Sequence, residues 1–381
     1  MKEERILTYQ LVATMAAGLE ALTAKELQQM GYQTRTENGK VYFEGDIKDI
    51  AATNVWLRTA DRIKIVLGQF KVLTFDDLFE AVKALPWDEF LPLDAAFPVA
   101  GRSVRSKLHS EPDVQSITKK AIVEKLSTVY HRRGRLPETG ATYPLEVSIL
   151  KDVATLTIDT TGPSLFKRGY RVAKGEAPLK ENFAAALVLL TNWHNDLPFY
   201  DPTTGSGTIA IEAAMIGRNI APGLHRNFAF EQFALTPSDL LAQVRDEAAA
   251  QENDAQLDIM GADINQEMVE IANNNAHQAG VLKQVRFKQL AVKDYKPESE
   301  RGVIVSNPPY GKRLNDIQVA RQLYKEMGEV YRPMTGWSKY ILTSDLTFEN
   351  SFGQKATKRR KLYNGTLRTD YFQYWAQRPK H

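Results

Sequence analysis

Residues 201–208, Asp-Pro-Thr-Thr-Gly-Ser-Gly-Thr, constrain this chain more than any other stretch. An apolar and aromatic lead-in ends at Leu197, Pro198, Phe199 and Tyr200, and Ile209-Ala-Ile-Glu-Ala-Ala-Met follows as a good helix pattern. The reading is a buried strand, a glycine-rich turn and a helix N-terminus. Gly205 and Gly207 permit backbone conformations and a close ligand approach that a Cβ would block. The N–H groups of the first helical turn point at whatever sits there. Asp201 falls at the strand's carboxyl end, where open α/β sheets bind ligands. The spacing is not a G-x-G-x-x-G dinucleotide fingerprint, and no G-K-[ST] follows to make a phosphate loop.

A second motif sharpens the first. Val303-Ile-Val-Ser is a short apolar strand that runs into Asn307-Pro308-Pro309-Tyr310 and then Gly311. DPxxGSG followed by NPPY resembles the class I S-adenosylmethionine (SAM)-dependent methyltransferases that methylate exocyclic amino groups.

With 381 residues there is room for two or three domains, each with ample core. A hydrophobic content of 43% and a charged content of 25% are those of an ordinary soluble protein. No apolar run reaches 18 residues, and the start, MKEERILTYQ, has no signal-peptide core. With no cysteine there are no disulfides or thiolate metal sites, and the six histidines (109, 131, 194, 225, 277 and 381) lack ligand spacing. The expectation is a cytoplasmic protein without a metal or a membrane partner. The net charge of +3 says little, but its distribution says more. Residues 102–135 hold nine Lys/Arg against three Asp/Glu, 167–180 five against one, and 355–368 six against none, whereas 231–258 hold one against seven. Three basic segments around such a core point to a polyanion.

Residues 1–65 read as strand, helix, hairpin and helix, a small α+β module of ferredoxin-like type. Leu19, Leu22, Leu27 and Met30 make an amphipathic face that Gly31 stops, Asn38-Gly39 is the favoured two-residue hairpin turn, and 47–57 is a second helix. Residues 66–164 are a second piece, with helices at 76–84 and 114–130 and strands at 97–100, 145–149 and 153–160. Its pattern resembles the THUMP domain, an RNA-binding module of tRNA- and rRNA-modifying enzymes. The connector carries RGYR at 168–171 and APLKE at 177–181. With the two motifs, it closely resembles the bacterial THUMP-containing rRNA methyltransferases, among them the large-subunit guanine-N2 methyltransferase and shorter RNA methyltransferases of Gram-positive bacteria. The resemblance spans essentially the full length.

Residues 165–381 are then expected to form a doubly wound, Rossmann-like α/β sheet. Helices fall at 182–193, 264–279 and 322–331. After the first strand come strands at 257–263, 285–290, 303–306 and 338–343, with a closing pair at 359–363 and 369–375. Sixty-two residues separate Asp201 from Asp263, where about 20 is usual. Residues 217–256 are read as a helical excursion.

The resemblance implies roles for particular residues. Asp201, Thr203, Gly205 and Gly207 would hold the methionine half of SAM, with Asp201 on its amino group directly or through water. Asp263 would accept both ribose hydroxyls. Relatives often carry D-x-x-D after the third strand, and here the first acid falls on Ala291, so the adenine contact passes to Asp294 or to backbone. Asn307, which also borders SAM, would accept one N–H of the target amine and the Pro308 carbonyl the other. That localises a lone pair otherwise delocalised into the ring, on a backbone fixed by two prolines. Tyr310 would stack on a base that is flipped out or unpaired. Lys167, Arg168, Arg171, Arg359, Arg360 and Lys361 are candidate phosphate contacts near the site. Arg102, Arg105, Lys107, Arg132 and Arg133 form a more distant footprint.

The expected product is N2-methylguanine in 23S ribosomal RNA, with the RNA presented naked or in a ribosome-assembly particle. NPPY equally suits adenine N6 in RNA or DNA. A non-catalytic RNA-binding protein with a degenerate methyltransferase core is the reading from outside the enzymes.

Overall fold

The computed structural model describes residues 7–171, 179–311 and 314–377. Ala177 and Pro178 of the connector motif, and Lys174 and Glu176 of its charge pattern, lie outside the described residues. The chain divides into two compact units.

The first unit is one seven-stranded sheet. Its elements are β1 (Tyr9–Thr14), α1 (Glu20–Gln29; residues 15–23, with its first turn, belong to the second unit), β2 (Arg35–Glu37), β3 (Lys40–Gly45), α2 (Ile47–Trp56), β4 (Arg62–Lys71), α3 (Phe75–Lys83), β5 (Val99–Val104), α4 (Glu111–Val129), β6 (Leu145–Leu150) and β7 (Val153–Asp159). The strand order is β2-β3-β1-β4-β7-β6-β5. The ferredoxin-like and THUMP-like halves, read separately in the sequence, are fused by β4 pairing antiparallel with β7 from Lys64↔Asp159 to Lys71↔Val153. Local chemistry starts the helices: Asp46 with Asp49 and Thr74 with Asp77 form reciprocal capping boxes at α2 and α3. Gly39 (φ 69°) makes the β2–β3 turn, with Glu37 opposite Lys40. Apolar residues on one face of the strands, such as Leu11, Ala13, Ile63 and Ile65, are fully buried. Residues Arg226–Glu247 also belong to this unit. There the Phe230 N–H donates to the Thr160 carbonyl (2.9 Å) and Phe233 stacks on Tyr143 (4.5 Å between centroids). The excursion between Asp201 and Asp263 is thus spent partly on the other unit.

The second unit holds α5 (Glu181–Leu189), β8 (Phe199–Asp201), α6 (Thr208–Gly217), β9 (Ile259–Asp263), α8 (Gln266–Gln278), β10 (Val285–Gln289), β11 (Gly302–Ser306), α9 (Leu314–Tyr331), β12 (Trp337–Thr343), α10 (Phe348–Phe352), β13 (Lys358–Asn364) and β14 (Leu367–Tyr374); α7 (Leu240–Ala249) lies in the excursion. The order is β10-β9-β8-β11-β12-β14-β13, parallel as far as β12 and antiparallel from β14. The strand order reverses beside β8, which puts the switch point, and its ligand crevice, at Asp201. Tyr200 and Ile304 turn one strand face into a core with Tyr324, Met327, Tyr331 and Ile341.

Several elements differ from the sequence reading. Strand β4 (Arg62–Lys71) has no counterpart in it and crosses the boundary at 65/66, and helix α5 ends at Leu189, not at 193. The strand expected at 97–100 runs from Val99 to Val104. Helix α9 begins at Leu314, not at 322, because its early turns carry Asp316, Gln318 and an exposed Val319 instead of an apolar stripe. Helix α8 begins at Gln266, since the Asn265 side chain caps the Glu267 N–H; Ile264 is left in the turn, 73% exposed.

Candidate active site

Strand β8 contributes only Phe199, Tyr200 and Asp201, all buried. It is held in register between β9 and β11 by Tyr200↔Met260 and Ile304↔Tyr200. The chain then turns within six residues into α6. Thr204 N–H donates to the Ala262 carbonyl and Gly207 N–H to the Thr204 carbonyl, each at 2.8 Å. Gly207 has φ 85°, and a Cβ there would meet Phe287 at 2.9 Å and Ala272 at 3.0 Å. Gly205 has φ 50° and opens onto empty space. One glycine is therefore packed by protein, and the other faces a volume left for something else.

Asp201 is 1% exposed. Its Oδ1 accepts the Thr203 N–H at 3.3 Å, and its Oδ2 has no hydrogen-bond partner among the described residues. Burial raises its pKa to about 7; the Asp263 charge adds to the rise, while Thr203 N–H and the nearby Thr204 hydroxyl oppose it. A buried carboxylate oxygen without a donor is suited to an ammonium group. Asp263, at the end of β9, accepts the Gly205 N–H on Oδ2 (3.0 Å) and the Asn265 N–H on Oδ1 (2.9 Å). It keeps lone pairs for further donors. The orphaned Oδ2, the open Gly205 side and this acid fit a ligand with an amino acid end and a ribose diol. Exposed Ile264, read from the sequence only as the start of a helix, adds an apolar surface beside Asp263.

Strand β11 brings the second motif alongside. Ser306 and Thr203 hydroxyls lie 2.8 Å apart, so the two motif loops are tied directly. The Tyr310 hydroxyl donates to Asn307 Oδ1. Burial pushes the Tyr310 phenol above its ordinary pKa, so it stays protonated as a donor. Tyr324 of α9, fully buried, donates to the Pro309 carbonyl at 2.9 Å and also meets the Thr343 hydroxyl at 3.0 Å. A Cβ on Gly311 (φ 72°) would strike the Ile317 backbone nitrogen at 2.5 Å, so the loop closes tightly onto α9. Ser306 and Tyr324 were not among the sequence candidates; Ser306 adjoins NPPY, but Tyr324 reads only as a core position.

Asp294 is exposed and lines a cavity of about 220 Å³ with Leu290, Met260, Pro198 and Asp258. One expectation is corrected. Arg168 is not a phosphate contact: it is 4% exposed, with Nε 3.5 Å from the buried Glu212 carboxylate, which also accepts the Tyr170 hydroxyl at 3.0 Å. Arg171 is also turned inward. It binds the Glu181 carboxylate (3.0 Å) and the Leu179 carbonyl (3.0 Å), and reaches the Ser206 and Thr208 hydroxyls of the glycine turn (3.3 and 3.4 Å). Arg359 pairs with Asp370 (2.6 Å) and lies over Phe372. Arg360 donates to the Gly18 carbonyl (2.9 Å), and Lys361 is exposed beside Tyr363. Lys167, Arg102, Arg105, Lys107, Arg132 and Arg133 are all exposed. Among the described residues, no group of three His, Cys, Asp or Glu side chains could hold a metal ion, and no helix is long and apolar enough to cross a membrane.

The sheet order, the glycine turn and the NPPY loop define a methyltransferase fold. The model of the RMKL-like methyltransferase domain matches residues 168–373, that of the RlmL ferredoxin-like domain residues 10–64, and that of the THUMP domain residues 73–159. The chain belongs to the RMKL-like family of SAM-dependent methyltransferases. It is 52% identical over 371 residues to the "Putative RNA methyltransferase YpsC" of Bacillus subtilis, covering 97% of this chain and 96% of that protein. It is 32% identical over 363 residues to the "Ribosomal RNA large subunit methyltransferase K/L" of Psychromonas ingrahamii, covering 92% of this chain but 48% of that protein, so it spans about half the length of that relative. A solved structure of "a predicted N6-adenine-specific DNA methylase" from Listeria monocytogenes shares 58% identity at a TM-score of 0.93, covering 97% of each chain. That of "SMU.472, a putative methyltransferase complexed with SAH" shares 54% at 0.93, covering 98% of this chain and 99% of that one.

Proposed function

We propose that this chain methylates the exocyclic N2 amino group of a guanine in 23S ribosomal RNA, drawing the methyl group from SAM. The observation that carries the reading is the Thr203–Ser306 bond, which ties the loop bearing the unpartnered Asp201 oxygen to the loop bearing Asn307. When bound, SAM supplies a methyl group on a positively charged sulfur, a good leaving group. Asp201 receives its ammonium group and Asp263 its ribose hydroxyls. Asn307 Oδ1 and the Pro308 carbonyl accept the two N–H bonds of the target amine and draw its nitrogen toward tetrahedral geometry. Tyr310, released from Asn307, stacks on the base. In-line attack would form the N–CH3 bond as the C–S bond breaks and S-adenosylhomocysteine leaves, and the methylated nitrogen would then lose one proton to solvent, so the step needs alignment more than acid–base help. The choice of ribosomal RNA is supported by the THUMP match and by the name of the K/L relative. Exposed Arg102, Arg105, Lys107, Arg132, Arg133, Lys167 and Lys361 are the candidate phosphate contacts.

Adenine N6 is the second reading, favoured by the printed description of the Listeria structure. The deciding experiment incubates the protein with radiolabelled SAM and rRNA or ribosomal particles from cells lacking its gene, with DNA in parallel, and digests the products to nucleosides. Labelled N2-methylguanosine from the large rRNA is the expected result. Labelled N6-methyladenosine overturns the base, label in DNA overturns the polymer, and SAM binding without any label favours a non-catalytic RNA-binding protein.

A further inference from the structure

One end of the first unit's sheet gathers three left-handed residues. Arg105 (φ 51°), Lys151 (φ 51°) and Asp152 (φ 63°) all hold left-handed backbone without being glycine. Lys151 and Asp152 form the two-residue turn between β6 and β7, a place that favours Asn-Gly. The side chains of Arg105 and Lys151 are exposed. The two turns are locked together. Asp152 N–H donates to Ser106 Oγ (3.0 Å), Lys107 N–H to Asp152 Oδ1 (2.7 Å) and Lys151 N–H to the Val104 carbonyl (3.2 Å).

Beside this lock lies an apolar row. Val104 pairs with Leu150 and Leu150 with Val153 across three adjacent strands, so the three side chains share the open face of the sheet. They are 49%, 52% and 42% exposed. Arg102, Arg105, Lys107 and Lys151 surround the row, all exposed, and among the described residues none of the four is in an ion pair. Elsewhere in the same unit Arg62, Lys64, Lys83 and Lys119 each hold a carboxylate, while Lys120, Arg132 and Arg133, like these four, are in no ion pair among the described residues. What distinguishes this end is that its four cations stand around an exposed apolar row.

We propose that this tip seats unpaired RNA, with base faces on the Val104–Leu150–Val153 row and phosphates on the four surrounding cations. This rests on the reading of the chain as an RNA methyltransferase and adds the form of RNA taken and where it sits. A duplex offers phosphates and hydroxyls but hides its base faces, so an apolar row would gain nothing from it. Adjacent strands lie ~4.8 Å apart, which makes the row about 10 Å long.

The test is a fluorescence-anisotropy titration of the whole protein with a labelled unstructured 12-nucleotide RNA and with a 12-base-pair RNA duplex. Leu150→Ser is expected to weaken single-strand binding about five- to tenfold and leave the slope of log Kd against log salt unchanged. Arg105→Gly combined with Lys151→Gly removes two phosphate contacts, so the slope should fall by about 1.4. The same variant relieves two left-handed residues, so its thermal midpoint should rise while its RNA affinity falls. Unchanged single-strand binding in both variants overturns the proposal, as does tighter binding of the duplex that ignores Leu150→Ser. If the wild type still methylates RNA in either case, only this inference fails. A wild type that neither binds nor methylates RNA brings down the underlying reading as well.

Discussion

The Thr203 and Ser306 hydroxyls, 103 positions apart in the chain, meet at 2.8 Å between neighbouring loops, and Ser306 is fully buried. Neither residue would need a hydroxyl for its strand or turn. The bond fixes the distance between the loop that carries Asp201 and the loop that carries Asn307. Thr203→Val should leave Ser306 without its partner and cost about 1–3 kcal/mol of stability. Ser306→Ala together with Thr203→Val should cost less than the sum of the single changes. A double-mutant cycle by denaturant unfolding, with methyl transfer measured on the same four proteins, checks this; additive costs would show that the pair does not couple the loops.

Asp201 sets a pH dependence. Its folded pKa is raised to about 7 from an ordinary value of 3.8, so the folded state holds a proton that the unfolded state has released. Folded stability therefore falls as pH rises between about 4 and 7, by up to roughly 4 kcal/mol at 1.36 kcal/mol per unit. Asp201→Asn should raise the thermal midpoint of the ligand-free protein at pH 8, leave it nearly unchanged at pH 4, and weaken SAM binding at both. A lower midpoint at pH 8 would mean that the carboxylate is satisfied by the protein itself.

Asn307 separates binding from turnover. Asn307→Ala removes the acceptor proposed for the target amine, and transfer should fall by at least 10²–10³-fold. SAM affinity by calorimetry should stay within a fewfold of wild type. Asp263→Ala should do the reverse, losing SAM affinity first. If Asn307→Ala abolishes SAM binding, its role is to hold the cofactor and not to activate the amine.

Arg168 should behave as part of the interior. Breaking a buried pair by Arg168→Ala leaves Glu212 uncompensated and should cost about 3–5 kcal/mol. RNA affinity of the protein that remains folded should be unchanged, since the guanidinium is only 4% exposed. Urea unfolding and RNA titration on one preparation decide it; a stable variant with weakened RNA binding would restore the phosphate-contact role.

Much of this was legible in the sequence, where the signal is local. The DPTTGSGT turn, the NPPY loop, the Asn38-Gly39 hairpin and most strands of the second unit announce themselves within ten residues. Relations made at long range do not. Nothing near Lys64 or Asp159 shows that β4 and β7 will pair, because each strand alternates just as well toward another neighbour. Arg168 and Arg171 belong to a basic run, and whether such a residue turns inward depends on Glu212 and Glu181, which lie on helices that follow.

The pairing of β4 with β7 has a consequence for how this protein can be cut and recombined. An excised ferredoxin-like half would leave β7 as a bare seam of unpaired amides, open to whatever strand came next. The two halves therefore travel as one part: amide exchange across the seam should slow as a single cooperative block, and a graft of either half alone should aggregate where the whole sheet stays in solution.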